Sequence, residues 1–209
     1  RRRLGEFLLA RPRRVVSRHR ALDVGLLVGG AGPAALAHAG ATAHALAVLK
    51  REFAGPVIGV IEPGARAAVR ATRSGHIGII GTVGTVKSGA YDRAIRELDP
   101  AVRTTSRACP LLVPLVEEGW IDHEATRMIA REYLEPLVEA DVDTLVLGCT
   151  HYPFLRDSIE AVAGPNVTVI DPANAVAREL RRRLDAAGLL APQGQSAMEE
   201  FWSTGPIDQ

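Results

Sequence analysis

The chain has 209 residues, of which 47% are hydrophobic, so it is long enough to bury one substantial core or two small ones. Only 4% of the residues are aromatic, which favours close-packed helices on sheets over an aromatic-rich β-sandwich. No apolar run approaches the roughly 18 residues of a membrane span, and the basic N-terminus lacks the apolar segment of a secretory signal. We therefore expect a cytoplasmic protein with no membrane partner.

The formal net charge of +1 hides a basic segment at residues 1–20. This segment holds eight of the 25 basic and one of the 24 acidic residues, which leaves 17 basic and 23 acidic residues in the rest of the chain. A basic arm on an acidic body can bind nucleic acid, but no nucleic-acid-binding motif accompanies this one. We therefore expect a solvated terminus and no nucleic-acid partner.

The only two cysteines are Cys109 and Cys149. Two are too few for a disulfide framework, and their spacing matches no metal-binding motif, so we expect no metal site. In the cytosol each is a free thiol, either buried as a small apolar side chain or used in chemistry.

The first third of the chain gives few structural signals. A strand is plausible at 22–28, followed by a glycine cluster that lacks the spacing of a phosphate-binding loop. Apolar residues at helical spacing predict a helix over 41–53. A buried strand is predicted over 56–61, ending at a Glu62-Pro63-Gly64 turn.

From residue 65 onward strands alternate with helices. Strands are predicted at 76–80, 102–108, 144–148 and 167–170. Helices are predicted at 65–72, from the turn at 81–85 to Leu98, at 111–118, from a cap at Asp122 to 139, at 153–162, and from an Asp171-Pro172 cap to Gly188. This alternation predicts an α/β fold with mainly parallel sheets flanked by helices.

The segment Cys149-Thr150-His151 places three reactive groups directly after a buried strand. Open parallel sheets bind ligands at this end of their strands. A nearby cation or helix N-terminus can lower the pKa of a thiol from about 8.5, and the helix that opens at Pro153 would supply such a terminus. The alternative is a buried structural cysteine beside a loop histidine, and the residues alone do not decide between the two.

Four further residues carry candidate groups. Thr85 lies at a junction from strand to helix, where free N–H groups can bind an anion, but it can equally be a helix cap. Glu117 and Glu118 are adjacent, so one of them, and not both, can lie beside His151. Cys109 lies in an apolar stretch and is interpreted as structural.

Four segments resemble glutamate racemase in their order and spacing. They are Ile58-Gly-Val-Ile-Glu-Pro-Gly64, Gly81-Thr-Val-Gly-Thr-Val-Lys-Ser-Gly-Ala-Tyr91, Ala108-Cys-Pro-Leu-Leu-Val-Pro-Leu-Val-Glu-Glu-Gly119 and Leu145-Val-Leu-Gly-Cys-Thr-His-Tyr-Pro153. The resemblance covers about 42–190. It implies a cofactor-independent isomerase with two pseudosymmetric α/β lobes, which binds glutamate between them and supplies D-glutamate for peptidoglycan; members commonly form homodimers.

The resemblance also implies the role of each candidate residue. One cysteine on each lobe faces each side of the substrate's Cα, and Cys149 is one of this pair. His151 assists the thiol at the substrate, and Glu117 or Glu118 is the carboxylate near that histidine. Thr150 and Thr85 contact the substrate. The predicted lobes are 1–64 with 171–209, and 65–170.

The N-terminal lobe departs from this pattern and is expected to be incomplete. It lacks the family's Asp-Ser-Gly turn, its Tyr-Gly loop and the second cysteine in a Cys-Asn-Thr motif. His38, Ala39 and Gly40 fall at the Cys-Asn-Thr positions, and His38 could in principle exchange a proton. We interpret residues 1–41 as sequence altered by a frameshift or a misassigned start. We therefore predict impaired racemisation, with a noncatalytic binding or regulatory relative as the alternative.

Overall fold

The computed structural model describes residues 26–28, 34–36, 39–52 and 57–190. The first sheet contains β1 (Leu26–Val28), β2 (Ala34–Leu36) and β3 (Val57–Gly59) in that order. Strand β1 is antiparallel to β2, and β2 is parallel to β3. Helix α1 (Ala39–Glu52) connects β2 to β3, close to the predicted range of 41–53.

The second sheet contains β4 (His76–Gly81), β5 (Arg103–Ala108), β6 (Thr144–Gly148) and β7 (Thr168–Ile170). Its strand order is β5-β4-β6-β7, and every neighbouring pair is parallel. All four predicted strands are present within one or two residues of their predicted limits. The predicted α/β fold with mainly parallel sheets is confirmed.

Helices cover both faces of this second sheet. They are α2 (Ile61–Ala71), α3 (Val83–Ser88), α4 (Ala90–Leu98), α5 (Leu112–Glu117), α6 (Glu124–Glu139), a 3-10 turn (Tyr152–Leu155), α7 (Arg156–Ala163) and α8 (Pro172–Ala186). Alternate strand residues enter two cores: Ile77, Ile79 and Val146 pack on the side of α2, α4 and α8, and Ile80, Leu145 and Leu147 on the side of α5, α6 and α7. This alternation explains why strands buried on both faces are almost wholly apolar.

One predicted turn is part of a helix. The Glu62-Pro63-Gly64 segment, predicted to end a strand as a turn, is instead the first turn of α2, which begins at Ile61. A proline is tolerated there because the first N–H groups of a helix have no intrahelical acceptor. The predicted division into lobes at 64 and 171 stays a prediction.

The predicted helix from the 81–85 turn to Leu98 is two helices rather than one. Gly89 interrupts it with a left-handed φ of 59°, and its N–H donates to the carbonyl of Val86. Glycine adopts this conformation without the steric penalty of a Cβ, so it ends α3 and allows α4 to start in a new direction.

The predicted caps of the later helices have different outcomes. His123, not Asp122, caps α6: its Nδ1 accepts a hydrogen bond of 3.1 Å from the amide of Ala125. Asp122 instead accepts from Arg127 at 2.5 Å, because the guanidinium offers it a charged partner. The cap at Asp171 is confirmed, since its Oδ1 accepts from the amide of Ala173 at 2.9 Å.

Asp143 anchors the loop that leads into β4. Its carboxylate accepts from the Thr72 hydroxyl and from the amides of Arg73 and Ser74, each at 2.6 Å. Burial alone would raise the pKa of Asp143, but these hydrogen bonds outweigh it and hold the pKa well below its usual range.

We expect Asp143→Asn to lower the free energy of unfolding at pH 7 by about 1 to 3 kcal/mol, because donors that served a carboxylate meet a neutral amide. A depressed pKa gives stability that is complete above the unfolded-state pKa near 4 and is lost as the pH falls towards the lower folded-state pKa. Urea unfolding between pH 2 and 7 should therefore show the difference between the two proteins shrinking with acidity. A constant difference would contradict this role.

Candidate functional site

Three strands of the second sheet end side by side. Gly81 at the end of β4 pairs with Ala108 of β5 on one side and with Gly148 of β6 on the other. The chain leaves β4 towards β5 and leaves β6 towards β7, on opposite sides of the sheet. The ends of β4 and β6 therefore form a topological switch point, where open α/β sheets bind ligands.

Gly148 allows the two central strands to approach closely just before Cys149. A Cβ at this position would lie 2.7 Å from the Ile80 carbonyl oxygen and 3.4 Å from the ring of Tyr91. Any larger residue would push against a backbone atom that cannot rotate away. The close approach fixes the peptide that presents the thiol.

Cys149, His151 and Glu117 form a row of side chains at this switch point. The Cys149 Sγ lies 3.9 Å from His151 Nδ1, and His151 Nε2 lies 3.5 Å from Glu117 Oε1. Cys149 is 6% exposed, whereas the Glu117 side chain is 60% exposed. The buried end of the row is therefore the thiol, and the solvated end is the carboxylate.

This order of groups suits proton transfer. A carboxylate at one ring nitrogen orients the imidazole, and the other ring nitrogen can exchange a proton with the thiol, whose thiolate is the reactive form. A thiolate held beside a histidine can accept a proton from a carbon acid or attack an electrophile.

Glu118 lies away from this row. It lines a small apolar pocket of about 210 Å³ together with Leu111, Pro114, Leu115, Trp120 and Ile129. Adjacent residues at the end of a helix point in different directions, so the structure brings Glu117, and not Glu118, to His151.

The two candidate threonines follow the two central strands, Thr85 after β4 and Thr150 after β6. Thr150 is exposed, and its Oγ1 is 3.5 Å from His151 Nδ1. Thr85 is buried in α3, where its side chain packs near Gly81 and Gly148. Thr85 is not the helix cap: Thr82 caps α3, with its Oγ1 accepting from the Thr85 amide at 3.3 Å.

Thr82 was not singled out from the sequence, although its position offered a signal. Threonine is a favoured N-cap residue, and Thr82 directly precedes the first residue of α3. Its Oγ1 is 3.0 Å from the Thr85 Oγ1, so the two hydroxyls form one polar pair beside the strand ends.

Cys109 occupies the interior, as its apolar sequence indicates. Burial has the largest effect on the Cys109 thiol and raises its pKa to about 12. The Sγ contacts the Arg107 carbonyl at 3.6 Å, and the side chain belongs to the same apolar core as Leu112 and Leu134. A thiol in this environment stays protonated at neutral pH.

Two buried tyrosines that the sequence reasoning missed support the Cys149 loop. The Tyr152 hydroxyl donates to the Cys109 carbonyl at 2.9 Å, which ties the loop after β6 to the turn after β5. The Tyr91 ring packs behind Gly148, and burial, together with the nearby Asp171 carboxylate, raises the pKa of its phenol. The only sequence signal for a supporting role was their position, because Tyr91 follows the Gly89-Ala90 pair and Tyr152 precedes Pro153.

Other candidates fall outside this arrangement. His38 lies outside the described residues, so the structure does not place it. Within residues 26–28, 34–36, 39–52 and 57–190, no group of three or more His, Cys, Asp or Glu side chains is arranged to hold a metal ion. None of the helices in this part of the chain combines the length and apolarity that crossing a membrane requires.

Comparison with known proteins finds a consistent set of relatives. The family model described as Asp/Glu/hydantoin racemase matches residues 15–180, and so reaches further back than the motifs that begin near residue 42. Glutamate racemase from Geobacter metallireducens is 48% identical over 162 residues, 78% of this chain and 60% of that protein.

Solved structures agree. A glutamate racemase isoform from Bacillus anthracis has a TM-score of 0.73 and 44% identity over 75% of this chain and 59% of its own. A glutamate racemase from Francisella tularensis, solved in complex with D-glutamate, has a TM-score of 0.69 and 30% identity over 75% of this chain and 58% of its own. The chain spans about half to 60% of the length of the first curated relatives it matches.

Proposed function

The chain belongs to the Asp/Glu/hydantoin racemase family, and from this premise we propose that its Cys149 site transfers the α-proton of glutamate. The row of Cys149, His151 and Glu117 at the switch point carries the proposal. The related proteins named glutamate racemase support glutamate as the substrate. The reaction is the interconversion of L- and D-glutamate without a cofactor.

In the proposed step the Cys149 thiolate removes the α-proton from one face of glutamate. The Cα–H bond breaks, a new S–H bond forms, and the electron pair remains on the substrate, delocalised into its carboxylate. Because an α-proton is very weakly acidic, the site must stabilise this carbanion-like state as it forms. A proton delivered from the opposite face completes inversion, and one returned by Cys149 restores the starting enantiomer.

The neighbouring residues have supporting roles. His151 holds the thiolate as its ion-pair partner, and Glu117 orients the ring from the solvated side. Thr150, exposed beside His151, offers a hydroxyl to the substrate carboxylate. Thr85 lies after β4 in the hydroxyl pair with Thr82, and this pair is the second polar contact that we propose for the substrate.

The described residues contain one base suited to this reaction. Cys109 is buried and protonated, and it lies in the core of the same sheet as Cys149, so it cannot reach the opposite face of a substrate. The sequence also lacks the family's Cys-Asn-Thr and Asp-Ser-Gly motifs. We therefore propose that this chain exchanges the α-proton of one enantiomer and racemises poorly.

The lack of a second suitable base among the described residues keeps one alternative open. A relative that retained the Cys149 site but no catalysis would act by binding, for example as a regulatory protein. Such a protein would bind glutamate without exchanging its α-proton, which separates the two proposals experimentally.

The cellular role that we propose rests on the same family resemblance. Any D-glutamate that the chain forms by residual racemisation would supply peptidoglycan synthesis in the cytoplasm. The same resemblance suggests a homodimer as one assembly that this chain can form.

Glu117→Gln is expected to slow α-proton exchange by about tenfold or more, because the amide cannot stabilise the imidazolium of His151. Glu118→Gln is the matched control, one residue along the same helix end and away from His151. Proton NMR of glutamate in D₂O gives both exchange rates. Equal rates for the two variants would contradict the role assigned to Glu117.

A further inference from the structure

The row of Cys149, His151 and Glu117 is built from two separate segments of the chain. Cys149 and His151 lie in the loop after β6, whereas Glu117 is the last residue of α5. The row forms only if these two segments hold fixed positions relative to each other. The contact of 3.5 Å between His151 and Glu117 cannot fix them alone, because Glu117 is solvated and exposed ion pairs contribute little free energy.

Helix α5 also cannot hold its own position. It has six residues and contains Pro114, and helices this short depend on contacts with the rest of the protein. Its first residue, Leu112, is fully buried, and the Leu112 amide donates to the Cys109 carbonyl at 3.3 Å. The start of α5 is therefore fixed at this carbonyl, and Glu117 lies about one and a half turns further along the helix.

The Cys109 carbonyl also holds the other segment. It accepts a second hydrogen bond, of 2.9 Å, from the hydroxyl of Tyr152. Tyr152 directly follows His151, and its amide donates to the Cys149 carbonyl at 3.2 Å. One tyrosine is therefore bonded both to the Cys149 loop and to the carbonyl at which α5 begins.

This shared carbonyl lies in an apolar environment. Tyr152, Leu112 and Cys109 are fully buried, and they belong to one apolar cluster with Cys149. A hydrogen bond is stronger where water does not compete for its groups, and a buried group that loses its partner is costly. Burial raises the pKa of the Tyr152 hydroxyl, so this group remains a donor throughout the neutral range.

We propose that Tyr152 is a positioning residue for the Cys149 site, and that its hydroxyl holds α5 where Glu117 reaches His151. In this scheme the hydroxyl transfers no proton and acts through Glu117. The inference rests on the proposed function, since it concerns the same row of side chains. Its test nevertheless includes a measurement of the thiol that does not require glutamate.

Tyr152→Phe isolates this hydrogen bond, because it removes the hydroxyl and keeps the ring and the amide. Alkylation of Cys149 by iodoacetamide in the full chain, followed by peptide mass spectrometry, measures the reactivity of the thiol. We expect Tyr152→Phe to slow both this alkylation and α-proton exchange by about threefold to tenfold at pH 7, because a poorly oriented His151 exchanges a proton with the thiol less effectively.

A double-mutant cycle with Glu117→Gln distinguishes positioning from a general loss of structure. If Tyr152 acts through Glu117, the double variant Tyr152→Phe/Glu117→Gln should match the rates of Glu117→Gln alone within about twofold. The pH profile of alkylation should also change in the same way in the two single variants. Tyr133→Phe is the matched control, because it removes the hydroxyl of a partly buried tyrosine packed on the same cluster and should leave both rates unchanged.

Urea unfolding checks that every variant is folded. Losses that multiply in the double variant, a slower thiol in Tyr152→Phe but not in Glu117→Gln, no loss in Tyr152→Phe, or an equal loss in Tyr133→Phe would each overturn the role of Tyr152. A chain that exchanges no α-proton but shows the expected alkylation cycle would contradict the proposed function and support the positioning role.

Discussion

Alanine at position 148 is expected to lower the free energy of unfolding by about 2 to 4 kcal/mol. The added methyl group would lie 2.7 Å from the Ile80 carbonyl oxygen, well inside contact distance. That oxygen belongs to the backbone of the neighbouring strand, so only a shift of β4 against β6 can relieve the overlap. The Tyr91 ring, 3.4 Å from the same position, closes the other side.

Gly84→Ala is the matched control for this substitution. No atom lies within 4 Å of the new methyl group, and Gly84 is inside α3, where alanine is the better helix former. We expect it to raise the free energy of unfolding by about 0.5 to 1 kcal/mol. Urea unfolding measures both changes. A Gly148→Ala protein as stable as the unmodified chain would show that the strands are not held as closely as described.

The second sheet could be predicted from the sequence because its signals are local. Strands β4, β6 and β7 are short apolar runs and β5 is more polar, but each strand is followed by a helix, so the alternation alone indicated a parallel sheet. The position of Cys149 followed from the same logic, since the residue after a parallel strand lies where ligands bind. These inferences needed no knowledge of distant contacts.

The errors arose where two local patterns fit the same residues. A Glu-Pro-Gly segment is compatible with a turn or with the first turn of a helix, and in the structure it is helical, with Gly64 packed against Pro172 of α8. Asp122 and His123 can both cap α6. Asp122 forms an ion pair with Arg127 instead, so His123 is the residue that caps the helix. The periodicity of a sequence does not show which of two competing contacts forms.

The site itself was predicted only in part. The sequence placed Cys149, Thr150 and His151 together because they are consecutive, but it left Glu117 and Glu118 equivalent. Only the path of the chain from α5 to the strand ends brings Glu117 within 3.5 Å of His151. The hydrogen bond from the Tyr152 hydroxyl to the Cys109 carbonyl joins residues 43 positions apart, so the sequence alone did not predict it.

Cys149→Ser is expected to reduce α-proton exchange by about a hundredfold to ten-thousandfold, because serine cannot supply a basic oxyanion beside His151 at neutral pH. Cys109→Ala is the matched control. It removes the other thiol of the chain from an apolar core, so it should lower stability while leaving the exchange rate of the folded protein unchanged.

The most direct test of the account is α-proton exchange by the unmodified chain, measured in D₂O by proton NMR on L- and D-glutamate separately, with chiral analysis of the recovered substrate. One base on one face predicts exchange of a single enantiomer, with its configuration retained and with the signal lost in Cys149→Ser. Inversion of both enantiomers at comparable rates, or no exchange of either one, would contradict it.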